Sequence, residues 1–93
     1  MKELTVDFTG VKYYLQFYRV IKDSLEFPEW FGENPDAVWE LLTGYIEYPD
    51  VIHVKGGSTI PKDLNEEYVM FIEILAEAQV FYDDLWYDFD VER

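Results

Sequence analysis

Two carboxylates and a tryptophan lie at helical spacing on one side of the segment 34–44. Asp36, Trp39, Glu40 and Thr43 fall at i, i+3, i+4 and i+7, so a helix places all four on one face. Like charges four residues apart repel by about 0.2–0.5 kcal/mol, so this pattern costs helix stability and indicates a function. Paired carboxylates can serve as general acid and base, or they can bind the cations of a partner.

The helix that carries this face has clear boundaries. Asn34 is the expected N-cap, Pro35 suits the first helical position, and Gly44 suits the C-terminus. Asp36 also has a structural explanation, because a carboxylate in the first turn gains from the helix dipole, whereas Glu40 lies too far along the helix for that. The opposite face is an apolar stripe that predicts attachment to a core, and it consists of Val38, Leu41, Leu42 and Tyr45.

The loop and helix in the middle of the chain resemble the signature of the barstar family of ribonuclease inhibitors. The similar residues are FPEWFGENPDAVWE at 27–40 and LTGYIEYP at 42–49. The order of predicted elements on both sides also resembles that family over most of the chain. The resemblance implies an inhibitor without a cofactor that blocks the active site of a basic ribonuclease, its carboxylates mimicking RNA phosphates.

The resemblance also implies which residues contact the partner. Asp36 and Trp39 match the family's interface acid and aromatic, and Glu40 takes the position of the acid that enters the phosphate pocket. Glu77, on a later helix, matches a further interface acid. Glu40 and Trp30 stand where the best-known member has Asp and Tyr, so an immunity protein against a different basic toxin or nuclease remains an alternative. The expected partner-binding residues are Trp30, Glu33, Asn34, Asp36, Trp39, Glu40, Thr43, Gly44, Tyr45, Glu47 and Glu77.

Composition limits the partners independently of the resemblance. The 93 residues are enough for one domain spanning 1–93, with 20 acidic and 7 basic side chains and a net charge of −13. Such a charge repels nucleic acids and membranes and attracts basic proteins, so we expect a basic ribonuclease or related toxin as partner. We expect a monomer when free. The absence of cysteine, of a signal peptide and of a long apolar run favours a cytoplasmic protein.

An enzyme is the alternative from a different functional class. Asp36 with Glu40, or Glu73 with Glu77, has the spacing of a carboxylate dyad. The sequence offers no nucleophile, second base, metal cluster or calcium-loop spacing beside them, so we expect no catalysis and no metal. The one histidine, His53, is interpreted as packed or at a strand edge.

The remaining elements predict a small α/β domain. Alternating apolar residues predict a first strand at 4–8, a helix is expected at 11–25, and a short β-rich run predicts a second strand at 51–54. A third helix follows from about 61 to 80, and a closing strand is expected at 85–91. Strands separated by helices favour a three-stranded parallel sheet packed against helices.

Three further expectations concern the last helix and strand. Asp63 and Glu66 have the spacing of a capping box at the helix start. The helix is apolar almost all round, which predicts that it is largely buried, with an exposed line of Glu66, Met70, Glu73 and Glu77. Trp86, on the last strand, is expected to be structural.

Overall fold

The computed structural model describes residues 2–44 and 49–89. This part of the chain contains three α-helices, two short 3-10 turns and one sheet of three parallel strands in the order β1-β2-β3. The predicted α/β architecture is therefore confirmed. In chain order the elements are β1 (Glu3–Asp7), α1 (Tyr14–Ser24), α2 (Pro35–Gly44), β2 (Val51–Lys55), the 3-10 turns Gly57–Thr59 and Lys62–Leu64, α3 (Asn65–Phe81) and β3 (Trp86–Phe89).

The sheet has one buried face and one face that solvent reaches. Val6, Ile52 and Val54 are buried on the inner face, and the register pairs Val6 with Val54. The last strand begins at Trp86, one residue later than expected. It lies at the edge of the sheet, so its inward side chains are only partly covered. Phe89 on this strand remains 38% exposed.

Helix α1 begins at Tyr14, three residues later than the sequence indicated. Gly10 has a φ of +85°, and the N–H of Val11 donates to the carbonyl of Phe8 at 3.0 Å. This turn keeps Val11 outside the helix, although its side chain is buried in the core. Tyr14, the first residue of the helix, is 43% exposed.

Aromatic packing and one polar contact fix α1 in the core. Phe8 of the segment after β1 stacks on Phe17, with ring centroids 4.5 Å apart. The hydroxyl of Tyr18 donates to the carboxylate of Glu67 at 2.8 Å, which links α1 to α3. Burial, followed by this hydrogen bond, raises the pKa of Tyr18 well above its usual value.

Helix α3 differs from its prediction at its start and on its outer side. Asp63 lies in a 3-10 turn, and Leu64 is the N-cap without a side-chain hydrogen bond, so the expected capping box is wrong. The expectation that this helix is largely buried outside its acidic line is also wrong. One side of the helix, which includes Tyr68 and Phe71, faces the core. On the other side, the exposed fractions of Val69, Val80 and Phe81 are 45%, 81% and 68%. Only one side of α3 packs on the rest of the domain.

Candidate functional site

The capped start of α2 determines how its outward face is presented. The Oδ1 atom of Asn34 accepts a hydrogen bond from the N–H of Ala37 at 2.9 Å, which confirms the predicted N-cap. The amide nitrogen of Asn34 donates to the carbonyl of Gly32 at 3.0 Å and so ties the loop to the helix. Val38, Leu41 and Leu42 are buried, as the apolar stripe predicted. The acids of α2 consequently point away from the core.

The loop before α2 presents its tryptophan between two buried aromatic anchors. The rings of Phe27 and Phe31 lie 5.2 Å apart in the core, and both side chains are almost fully buried. Trp30 is 67% exposed. The N–H of Phe31 donates to the carbonyl of Pro28 at 3.1 Å, which closes the turn. A large aromatic surface is thus displayed at the side of the helix without being part of the core.

Two grooves meet at Asp36. The first, about 470 Å³ in volume, lies between α2 and α3. The second, about 430 Å³, lies between α2 and the loop that precedes it. The first is lined by Pro35, Asp36, Trp39, Met70, Glu73, Ile74, Glu77 and Phe81, and the second by Trp30, Gly32, Asn34, Asp36, Ala37, Glu40 and Leu41.

The grooves bring together six residues expected to contact the partner. Trp39 and Glu77 line the first groove, although 38 positions separate them in the sequence. Trp30 and Glu40 line the second groove, together with the N-cap Asn34. Asp36 forms the ridge common to both. Glu73, which had only the general acidic pattern in its favour, also faces the first groove.

The carboxylates of the two grooves have no neutralising neighbour among the described residues. No Lys, Arg or His lines either groove, and no salt bridge within 4.0 Å involves Asp36, Glu40, Glu73 or Glu77 in residues 2–44 and 49–89. Lys22 of α1 is paired elsewhere: its Nζ atom lies 3.0 Å from Oε2 of Glu29. The grooves therefore present uncompensated negative charge beside aromatic surface.

Three of the expected partner-binding residues, Glu33, Thr43 and Gly44, line neither groove. Glu33 lines a separate depression, where its carboxylate lies 3.7 Å from the guanidinium of Arg19. Thr43 is half-buried, and its hydroxyl donates to the carbonyl of Trp39 at 2.6 Å, so this donor is already used. Gly44 is the exposed last residue of α2. Tyr45 and Glu47 lie outside the described residues.

Trp39 is less exposed than its place on the outward face of α2 suggested. It is half-buried at the edge of the core, with its ring 5.7 Å from that of Phe81 in an edge-to-face arrangement. The interpretation of Trp39 as a side chain free of the core is therefore wrong. The reason is that α3 ends beside α2, and the sequence does not show which helix faces will meet.

The apolar wall of the first groove was not expected from the sequence. Phe81 follows Glu77 by four residues, so continuing the exposed line of α3 by one turn would have identified it. The hydroxyl of Tyr82 donates to the carbonyl of Thr43 at 2.5 Å, which holds the end of α3 against the end of α2. This contact joins residues 39 positions apart, and no local pattern indicates it.

The carboxylates that line the grooves can bind cations. Among the described lining residues, the carboxylates are the titratable side chains, and none is a Ser, Thr, His or Tyr that could act as nucleophile or second base. Within the described ranges, no three His, Asp or Glu side chains are arranged to hold a metal ion. Among these residues there is also no helix with the length and apolar character needed to cross a membrane.

Comparison with known proteins adds two findings. A family model described as "Barstar (barnase inhibitor)" matches residues 1–92. The chain is also 34% identical over 59 residues to a protein of Bacillus subtilis (strain 168) named "Putative ribonuclease inhibitor YrdF". That alignment covers 63% of this chain and 65% of the relative, so the chain spans less than two thirds of that relative's length.

Proposed function

Because the chain belongs to the barstar family, we propose that it is an inhibitor of a basic ribonuclease. In this proposal the ridge at Asp36 and its two grooves cover the nuclease active site. Glu40 occupies the position where the enzyme binds an RNA phosphate. The relative named as a ribonuclease inhibitor supports the same class of target. The inhibitor contributes no catalytic step and needs no cofactor.

One observation carries the proposal: unpaired carboxylates and large aromatic side chains share the two grooves that meet at Asp36. A ribonuclease must hold a polyanion, so its active site presents Arg, Lys and His side chains. Carboxylates fixed on a capped helix can bind these cations with little loss of conformational entropy. Trp30 and Trp39 supply rigid apolar area of the kind that dominates binding energy at protein interfaces.

Long-range charge is expected to assist the encounter. With a net charge of −13, the inhibitor attracts a basic enzyme over a long range. Salt weakens this attraction, because the Debye length is about 10 Å at 0.1 M ionic strength. The contacts made in the grooves exclude water and respond less to salt. Charge therefore governs the association rate, and the contacts in the grooves govern the dissociation rate.

This division gives a prediction that can be tested with salt. The association rate constant with a basic ribonuclease should fall by about tenfold between low ionic strength and about 0.5 M, whereas the dissociation rate constant should change much less. Stopped-flow fluorescence of the tryptophans measures both rates. An association rate that is constant over this range would show that the acidic surface does not steer binding.

The proposal as a whole is tested by capture followed by competition. The chain is immobilised at low salt, and basic proteins are captured from the lysate and the secreted fraction of its own source cells. A captured ribonuclease should lose activity on mixing, and a nucleotide in its active site should exclude the inhibitor. Simultaneous binding of inhibitor and nucleotide would overturn active-site blockage. A captured basic toxin without ribonuclease activity would instead favour an immunity protein of the same fold against another target.

A further inference from the structure

The sheet carries a polar cluster on the face opposite the core. Parallel sheets are usually covered on both faces, but the outward side chains of this one are exposed or only partly buried. His53 lies on β2, the middle strand, and its register partners are Thr5 on β1 and Asp88 on β3. Of the two positions expected for His53, the strand edge is wrong because β2 is the middle strand. The ring is packed between side chains of the neighbouring strands, with 30% of its side-chain surface exposed.

His53 bonds to a carboxylate on each neighbouring strand. Its Nε2 atom lies 2.8 Å from Oε1 of Glu3, and its Nδ1 atom lies 2.9 Å from Oδ2 of Asp88. One imidazole thus connects β1, β2 and β3 across the open face. Of the hydrogen bonds and ion pairs in the described residues, these two are the side-chain contacts that join one strand to another.

The number of protons decides whether both contacts are favourable. A neutral imidazole has one N–H, and its other ring nitrogen is an acceptor. An ionised carboxylate also only accepts, so a neutral His53 could bond to Glu3 or to Asp88 but would face lone-pair repulsion at the other. The imidazolium has two N–H donors and a positive charge between two negative ones. The observed geometry fits the charged form.

We propose that Glu3, His53 and Asp88 form a pH-sensitive clasp that holds both edge strands to the middle strand and releases one of them when the imidazole loses its proton. The clasp is separate from the two grooves on α2 and does not depend on the inhibitor function. It makes the stability of the sheet depend on a single titrating group.

The other charges that face the clasp do not change the direction of its pH dependence. On the outward side of β1, Asp7 is occupied with the N–H of Thr9 at 3.0 Å, and Lys55 lies two residues beyond His53 on β2. Hydrogen bonding to Glu3, then to Asp88, raises the pKa of His53 above its ordinary value of about 6.5, against a smaller opposing effect of desolvation. A carboxylate on each side thus stabilises the imidazolium.

The direction of the pH dependence follows from this raised pKa. The charged form is stabilised in the folded chain, so the clasp contributes fully below the unfolded value near 6.5. Its contribution disappears as the pH rises through the folded value. Between pH 6 and pH 9 this chain, with no cysteine and one histidine, has no other side chain of ordinary pKa that titrates. The α-amino group also titrates in this window, so the part of the stability change that His53→Gln abolishes reports on His53.

Release of β3 would also affect the contact that holds the end of α2. The strand follows a turn in which the amide of Gln79 donates to the carbonyl of Leu85 at 3.0 Å. In the same turn Tyr82 holds the carbonyl of Thr43. Loss of the contact to Asp88 loosens the strand that this turn leads into. The consequence is a gradual weakening of the support for the groove between α2 and α3 above the folded-state pKa.

Proton NMR of the full chain tests the charge state directly, because the single imidazole gives unambiguous signals. The midpoint of the His53 titration is expected above 6.5 in the folded chain and near 6.5 in urea. Glu3→Gln and Asp88→Asn should each lower the folded midpoint. Glu66→Gln removes the same charge from α3 and should leave it nearly unchanged. A folded midpoint at or below the urea value would overturn the clasp.

Thermal unfolding tests the effect on stability. For the natural chain, Tm should be constant near pH 6 and should fall as the pH rises toward 9. His53→Gln, which carries no charge and does not titrate, should show a flat Tm over the same window. Equal pH dependence in both proteins would refute a role for His53 in holding the strands. If His53→Gln does not fold, Asp88→Asn provides the same comparison, with a weaker dependence expected.

Discussion

Replacement of Glu40 by Gln is expected to weaken binding to the target ribonuclease more than a hundredfold. The substitution retains the shape of the side chain and removes its charge, which leaves the cations of the enzyme's phosphate pocket buried and unpaired. Breaking a buried charge pair in this way costs about 3 kcal/mol or more, and 1.4 kcal/mol corresponds to tenfold in Kd. Isothermal titration calorimetry or inhibition kinetics measures the change. Tm should hardly move, because Glu40 is exposed in the free protein.

A matched control distinguishes phosphate mimicry from general acidity. Glu66 is also an exposed glutamate on a helix, but it lines neither of the grooves that meet at Asp36. Glu66→Gln removes the same charge and should change Kd by less than about threefold, as expected for a screened surface charge. Equal losses at both positions would contradict the placement of Glu40 in the phosphate pocket. Glu40→Asp should weaken binding to a cognate enzyme adapted to the longer side chain.

Replacement of Trp39 by Ala is expected to reduce both affinity and stability. The affinity loss should be about 2 kcal/mol or more, as for aromatic hot spots. The stability loss arises because Trp39 packs against Phe81 at the edge of the core. Truncating a half-buried aromatic costs about 1–2 kcal/mol, and in a domain of this size each kcal/mol lowers Tm by about 4–8 °C.

Trp30 supplies the control for this second prediction. Trp30→Ala removes an indole that is 67% exposed, so affinity should fall while Tm stays within about 2 °C. Differential scanning calorimetry and a binding titration on both variants separate the two effects. If Trp39→Ala lowers Tm without weakening inhibition, Trp39 is a packing residue and the first groove is not part of the interface.

Helix α2 shows which structural features local sequence patterns can predict. Its cap at Asn34 and the burial of Val38, Leu41 and Leu42 follow from local chemistry: a side-chain acceptor and helical periodicity. The parallel sheet follows from strands separated by helices. The resemblance indicated which outward residues to consider, and the structure brings six of them to two grooves.

Contacts between distant segments are what the sequence did not indicate. The half-burial of Trp39 depends on where α3 ends, and the wall formed by Phe81 depends on the crossing of two helices. His53 meets Asp88 because the strand register places them opposite each other, and it meets Glu3 because Glu3 lies two residues before Thr5, its register partner on β1. The wrong prediction of a capping box at Asp63 has a local cause, since Asp63 lies within a 3-10 turn that precedes the helix. Amphipathic periodicity alone says which face is apolar, not which partner covers it.

In the loop before α2, the side chains that attach the loop to the core are different from the side chain that it exposes. This separation affects how the sequence of this protein can diversify. Phe27 and Phe31 attach the loop to the core, and the position between them, occupied by Trp30, lies outside it. A substitution at position 30 therefore alters the exposed surface while both anchors stay in place. Where this surface contacts the partner, as proposed, target preference can change by single substitutions without a compensating change in the interior.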